Sequence, residues 1–216
     1  MRIIPITKSE AAATIGTLTT TSKMPCRSYD LPVTACSSGY ALAQLKGSIC
    51  SECYAAKGNY SRFAATIEPA QYARLFEVNN PYWVESMITL IGGDEYFRWF
   101  SSGDLQSLDM FKNIVAVTQL TPWTRHWLAT REYSIIKDYI AGGGTIPENL
   151  IVRLSATYPD KPAQLPASLK GIKNITISNA HTSRPLGFEC ESPKHGGSCG
   201  PCRQCWSSAV VSYRMH

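Results

Sequence analysis

The chain has no apolar run approaching the ~18 residues of a membrane-spanning helix. Met1 to Glu10 lacks the apolar centre of a secretory signal. Charge is scarce too: Asp, Glu, Lys and Arg make up 17%, against ~25% in ordinary soluble domains. The net charge is +5, with Lys and Arg scattered, so no basic tract marks a nucleic-acid surface. There is no phosphate-binding P-loop, no GxGxxG, no HExxH and no Gly-x-Ser-x-Gly elbow. Gly142-Gly143-Gly144 follows a helical pattern and precedes a strand pattern, the wrong order for a phosphate cradle. Neither an internal repeat nor a low-complexity linker divides the chain. These absences argue against a membrane protein, a disordered tail and the commonest nucleotide-binding and hydrolytic classes.

What the chain does have is cysteine. Eight occur among 216 residues, too few for a small disulfide scaffold and many for an ordinary intracellular enzyme. Without a secretory leader the expected compartment is reducing, where grouped thiols bind metal or do redox chemistry. Hydrophobic residues are 44%, enough to bury a core, and the length suits one domain over 1–216. The cysteines are bunched at two ends: Cys26, Cys36, Cys50 and Cys53 in a loop at 22–60, and Cys190, Cys199, Cys202 and Cys205 in a loop at 188–206. None lies between, so the middle reads as scaffold.

That middle alternates. The β-branched run Thr14 to Thr21 predicts a first strand, followed by the long cysteine loop. Glu68-Pro69 and Asn80-Pro81 each predict a helix start, and Gly92-Gly93 a stop. Strands are predicted at Tyr96–Phe100, His126–Thr130, Leu150–Leu154 and Ile175–Ser178, with a last at Ala209–Tyr213. Helical patterns fall between, one carrying Met110, Phe111, Ile114, Val115 and Val117, another Tyr133, Ile136 and Ile140. Strand–helix alternation implies a parallel sheet with crossover helices. Five or six units suit a partial or small (β/α) barrel, since a full one takes ~250 residues. A doubly wound sheet is the second choice. In either, ligands gather where strands end, so both cysteine loops are expected at the C-terminal rim.

The late motif, Cys190-x8-Cys199-x2-Cys202-x2-Cys205, resembles the dense spacing of ferredoxin-type cluster loops. Structural zinc usually takes two separated pairs, and buried free thiols need a core that this Gly-rich loop does not offer. Cys36-x13-Cys50-x2-Cys53 supplies three more thiolates, which on a four-iron cluster would leave one iron open. A lone CxxC also occurs as a redox pair or a zinc half-site. Cys26 has no spaced partner and reads equally as a spare thiol or a ligand. One shared cluster and two separate ones both fit.

The polar strand ends give candidates for holding a cofactor: Ser102, Asp104, Arg131, Ser155 and Asn179. Each has an ordinary reading as well. Asp104 is placed to cap a helix, Arg131 and Glu132 to pair with neighbours, and His181 to be a satisfied surface histidine. Tyr54 and Trp206 follow cysteines, and either shields a cluster or simply packs.

Several motifs together resemble a known family. They are Ser28-Tyr29-x-Leu31-Pro32, Gly47-Ser48-x-Cys50-x-x-Cys53-Tyr54-Ala55-x-Lys57-Gly58-x-Tyr60, Phe97-Arg98-Trp99, Ser102-Gly103-Asp104-Leu105-Gln106, Thr130-Arg131-Glu132, and Gly197-x-Cys199-Gly200-x-Cys202-Arg203-x-Cys205-Trp206. The set resembles the phage-encoded "gene product eighty-eight" family over nearly the whole chain. The resemblance implies a reduced (β/α) barrel with an iron–sulfur cluster, 4Fe-4S, in the cytoplasm of an infected bacterium. Its outline is similar to radical S-adenosylmethionine enzymes, which makes S-adenosylmethionine a candidate cofactor. Here, however, thirteen residues separate Cys36 from Cys50, and Glu52 stands before Cys53. The implied metal ligands are Cys36, Cys50, Cys53, Cys190, Cys199, Cys202 and Cys205. If catalytic, the protein would be a radical-type enzyme acting on a small-molecule ligand. The alternative is a non-catalytic electron carrier, redox sensor or host-modulating protein with a structural cluster and a host redox protein as partner. A zinc-stabilised nucleic-acid module ranks third.

Overall fold

The first element departs from the β-branched run. In a computed structural model describing residues 6–215, helix α1 (Lys8–Ile15) takes the first two residues of the expected strand. A capping box starts it: Thr7 Oγ1 accepts from Glu10 N at 3.2 Å, and the Glu10 carboxylate accepts from Thr7 N at 2.7 Å. Gly16 ends it with φ +80°. Only Thr19–Thr20 remains extended, as β1. The cysteine loop is not irregular throughout either. It contains β2 (Arg27–Tyr29), α2 (Ser37–Ala43) and the short α3 (Gly58–Arg62). Pro69 lies inside α4 (Ala64–Phe76) instead of opening it, so the helix begins a turn earlier and forgoes one N–H.

Beyond this point the periodicity holds. Helix α5 (Trp83–Ile91) ends at Gly92 and precedes β3 (Tyr96–Trp99). Then come α6 (Leu108–Leu120), β4 (Arg125–Thr130), α7 (Tyr133–Ala141), β5 (Leu150–Ser155), β6 (Ile175–His181), β7 (Phe188–Glu189) and β8 (Val211–Arg214).

The eight strands form one sheet in the order β1-β2-β3-β4-β5-β6-β8-β7. All neighbours are parallel except β1 against β2. The sheet is not closed: β1 and β7 are its edges. From β2 to β6 the order follows the chain without reversal. A doubly wound sheet reverses its order at a switch point, so that second choice is not what forms. Right-handed crossovers in a sequential order put their helices on one side. Accordingly Phe97, Trp99, Leu128, Leu150, Val152 and Leu154 share a core with Met87, Ile91, Phe111 and Ile136 from the helices.

Alternation along each strand sends the other side chains to the second face. There Arg98 pairs in register with Trp127, and Ala129 with Arg153. This face carries a smaller cluster of Cys26, Trp127 and Trp206, with Met24, Tyr96, Ala129, Cys205 and Tyr213 against it.

Candidate metal and ligand site

The early cysteine loop is fastened to three strand ends. Glu132, after β4, accepts from Ser38 N at 2.8 Å and Ser38 Oγ at 2.9 Å. Ile49 N donates to Thr157 O, after β5, at 2.9 Å. Tyr54 OH donates to Ser101 O, after β3. The loop therefore lies at the C-terminal rim, as expected. Cys36 stands at the head of α2 and Cys50 begins a 3-10 turn.

Gly39 shows how closely two of these thiols approach. A Cβ built there would meet Cys36 Cβ at 2.8 Å, Cys36 Sγ at 3.6 Å and Cys50 Sγ at 3.9 Å. Glycine inside a helix costs about 0.5–1 kcal/mol relative to alanine. Gly39 has no positive φ to explain it, and a side chain there would press on Cys36 Cβ and touch both sulfurs. Burial pushes the Cys36 thiol up to about 12, and the charges of Asp104, Cys53, Cys50 and Glu132 add to this. Burial raises Cys50 as well, with the Arg131 guanidinium opposing.

Asp104 does not cap a helix. Ser107 caps α6, accepting from Met110 N at 3.1 Å. The Asp104 carboxylate instead ties the end of β3 to the end of β4. It accepts from Leu105 N at 2.8 Å, Thr130 Oγ1 at 2.6 Å and Arg131 N at 2.9 Å. Burial nevertheless pushes it up to about 6. Arg131 and Ser155 line an open cavity of about 280 Å³ with Ser38, Leu42, Tyr133 and Thr157. Arg131 gives one contact to Ala156 O at 3.3 Å, and its Nε is buried without a partner.

The other expected contacts are not in that cavity. Ser102 Oγ is occupied by Gln71 Nε2 at 2.7 Å and Leu31 O at 3.0 Å. Asn179 accepts from Ala163 N at 2.9 Å, away from the cavity lining. Of the five candidates, two share a pocket and Asp104 stands behind them.

The end of the late cysteine loop, Gln204–Trp206, is not at the rim. It covers the second face of the sheet, where Trp206 Nε1 donates to Phe97 O at 3.0 Å. Arg153, fully buried in β5, donates to the carbonyls of Ile177, Ala209, Gln204, Cys205 and Ser207. A fully buried arginine is a signal that sequence reading passed over, because strand periodicity does not reveal what covers a face. Arg98 lies over the Trp127 ring at 4.4 Å and donates to Tyr54 OH at 3.2 Å and Met24 Sδ at 3.1 Å. Among the described residues neither guanidinium pairs with a carboxylate. Also among them, no three His, Cys, Asp or Glu side chains stand close enough to hold a single metal ion. All eight thiols are free.

The gene product 88 family model matches residues 5–208. The chain belongs to the gene product 88 family. This bears out the phage family that the motifs resemble. No curated protein and no solved structure matches it.

In this gene product 88 chain, His181 is buried rather than a surface residue. Its Nδ1 pairs with Ser212 Oγ at 2.8 Å and its Nε2 with Glu189 at 3.3 Å, so it holds β6, β7 and β8 together. Among the described residues no helix is long and apolar enough to cross a membrane.

Proposed function

We propose that this gene product 88 chain is an iron–sulfur protein whose rim thiols, Cys36, Cys50 and Cys53, hold a four-iron cluster with one iron left open toward the Arg131 cavity. The observation that carries the reading is the space kept by Gly39 between two sulfurs, beside a cavity lined by a cation. An all-thiolate donor set suits iron–sulfur chemistry. A tetrahedral zinc needs its sulfurs about 2.3 Å from one point, whereas a cluster carries each thiolate on a separate iron and spreads them. When bound, the cluster would supply one-electron chemistry at its open iron.

The chain's own residues would do the rest. Arg131 would bind a carboxylate or other anion, its unpartnered Nε being available. Asp104 would hold the Arg131 backbone, and Glu132 would fix the loop that bears Cys36. In the catalytic version, S-adenosylmethionine is the cofactor to test and the enzyme is of radical type. A non-catalytic electron carrier or redox sensor is the second reading, favoured by the packing of Cys205 against Trp206 and Trp127. The unreversed strand order supports a partial (β/α) barrel, with the late loop over its inner face. Eight free thiols support a reducing compartment, such as an infected bacterial cytoplasm.

Anaerobic purification with iron, sulfide and zinc analysis tests the reading. A brown protein with iron and sulfide is expected, with less of both in the triple variant C36S/C50S/C53S. Stoichiometric zinc without iron overturns it. Cleavage of added S-adenosylmethionine by the reduced protein would favour the enzyme over the carrier.

A further inference from the structure

We propose that the chain builds a second iron–sulfur centre, apart from the rim, in which Cys26 is a ligand together with Cys199 and Cys205, and Cys190 or Cys202 completes four. This rests on the iron–sulfur reading above but concerns different residues on a different face.

The geometry joins two ends of the chain. Lys23 O accepts from Cys199 N at 2.9 Å and from Ser198 Oγ at 3.3 Å. The segment Lys23–Cys26 is thereby laid against the late cysteine loop. Cys26 is 9% exposed and packs with Trp127 and Trp206, with Cys205 on the same small cluster. Cys205 Sγ lies 3.2 Å from Tyr213 OH, and Cys190 Sγ 3.4 Å from Ser192 Oγ.

The second observation is charge. Arg153 and Arg98 reach this face without a carboxylate partner among the described residues, and Arg153 Nε is buried with no partner at all. Backbone carbonyls satisfy the other Arg153 hydrogens but do not neutralise its charge. A buried unpaired cation is costly unless an anion offsets it. Thiols that keep their protons are neutral and cannot. Thiolates on iron remain ionised and make an anionic centre, which supplies the missing charge.

Such a centre would connect the segment before β2 to the loop before β8. It would close a long loop of chain, so metal loading should also stabilise the fold.

The test compares wild-type protein with C26S, C26A, C199S/C205S and C36S/C50S/C53S. All are purified anaerobically, assayed for iron and sulfide, and examined by electron paramagnetic resonance after dithionite. Wild type should carry two clusters. The rim triple variant should keep about half the iron, and C199S/C205S the complementary half. C26S and C26A should both lose the late signal, or show it altered, while keeping the rim signal. C26A removes the ligand without burying a hydroxyl, so loss in C26S alone would be a packing effect and overturns the assignment. Full iron and an unchanged spectrum in both Cys26 variants also overturns it. Loss of all iron in the rim triple variant would show one shared centre and reject a second. Absence of iron from wild type itself would fail the underlying reading as well.

Discussion

Glu132 holds Ser38 with both carboxylate oxygens, at 2.8 Å to the backbone N and 2.9 Å to Oγ, across 94 positions of sequence. Hydrogen bonds to a charged acceptor contribute about 1.5–3 kcal/mol each. Glu132→Ala should lower stability by roughly that amount, and Ser38→Ala by less, since its backbone bond survives. Urea midpoints of the two variants and their combination check this. Non-additive losses are expected if the pair acts together. The Cys36 thiol should also label faster in Glu132→Ala.

Gly39→Ala should act against the usual trend. In most helices this change gains about 0.4–1 kcal/mol. Here the new methyl would meet Cys36 Cβ at 2.8 Å and fill the gap between two sulfurs. Overpacking of this kind costs about 1–3 kcal/mol. A lower melting temperature and less rim iron are expected. A stabilised, fully loaded variant would show that the gap has no role.

Gly103 separates two causes of strain. Its φ is +78°, and a Cβ would stand 2.6 Å from Leu31 Cβ and 2.8 Å from Leu31 O. Asparagine tolerates the left-handed conformation better than alanine. If conformation alone mattered, Gly103→Asn would be mild. Because the contact with Leu31 is through backbone and a buried side chain, Gly103→Asn and Gly103→Ala should both be destabilised severely. Soluble yield and melting temperature report the difference.

His126 gives the protein an acid limb. It is fully buried, with Nε2 at 2.9 Å from Thr121 Oγ1 and Nδ1 without a partner. Burial lowers its pKa from 6.5 to about 3. Between those values the unfolded chain binds the proton and the folded chain does not. The stabilisation is therefore complete above pH 6.5 and is lost as pH falls toward 3, at about 1.4 kcal/mol per unit. His126→Gln should flatten that limb in denaturation curves taken at neutral and mildly acid pH.

Strand–helix alternation was readable from β3 to β6 because each strand carries a continuous apolar row and each helix one apolar face. At the N-terminus two local signals competed. The β-branched run pointed to a strand, but the Thr7 and Glu10 capping box and the packing of Ala11 and Ile15 into the main core favoured a helix. Strand β2 was hidden because three residues have no periodicity of their own. It exists through its register with Phe97, Arg98 and Trp99.

The sequence by itself determined the parallel α/β class, the family and the two dense groups of cysteine, since spacing and composition are local properties. Only the tertiary structure decided where those groups stand. It placed Cys36, Cys50 and Cys53 at the rim through Glu132, Thr157 and Ser101. It put Cys205 on the opposite face of the sheet from the main core, over Arg153. It also brought Cys26 to the late group, because the chain before β2 and the chain before β8 cross the same face. Such contacts join residues far apart in the chain, and no local pattern records them.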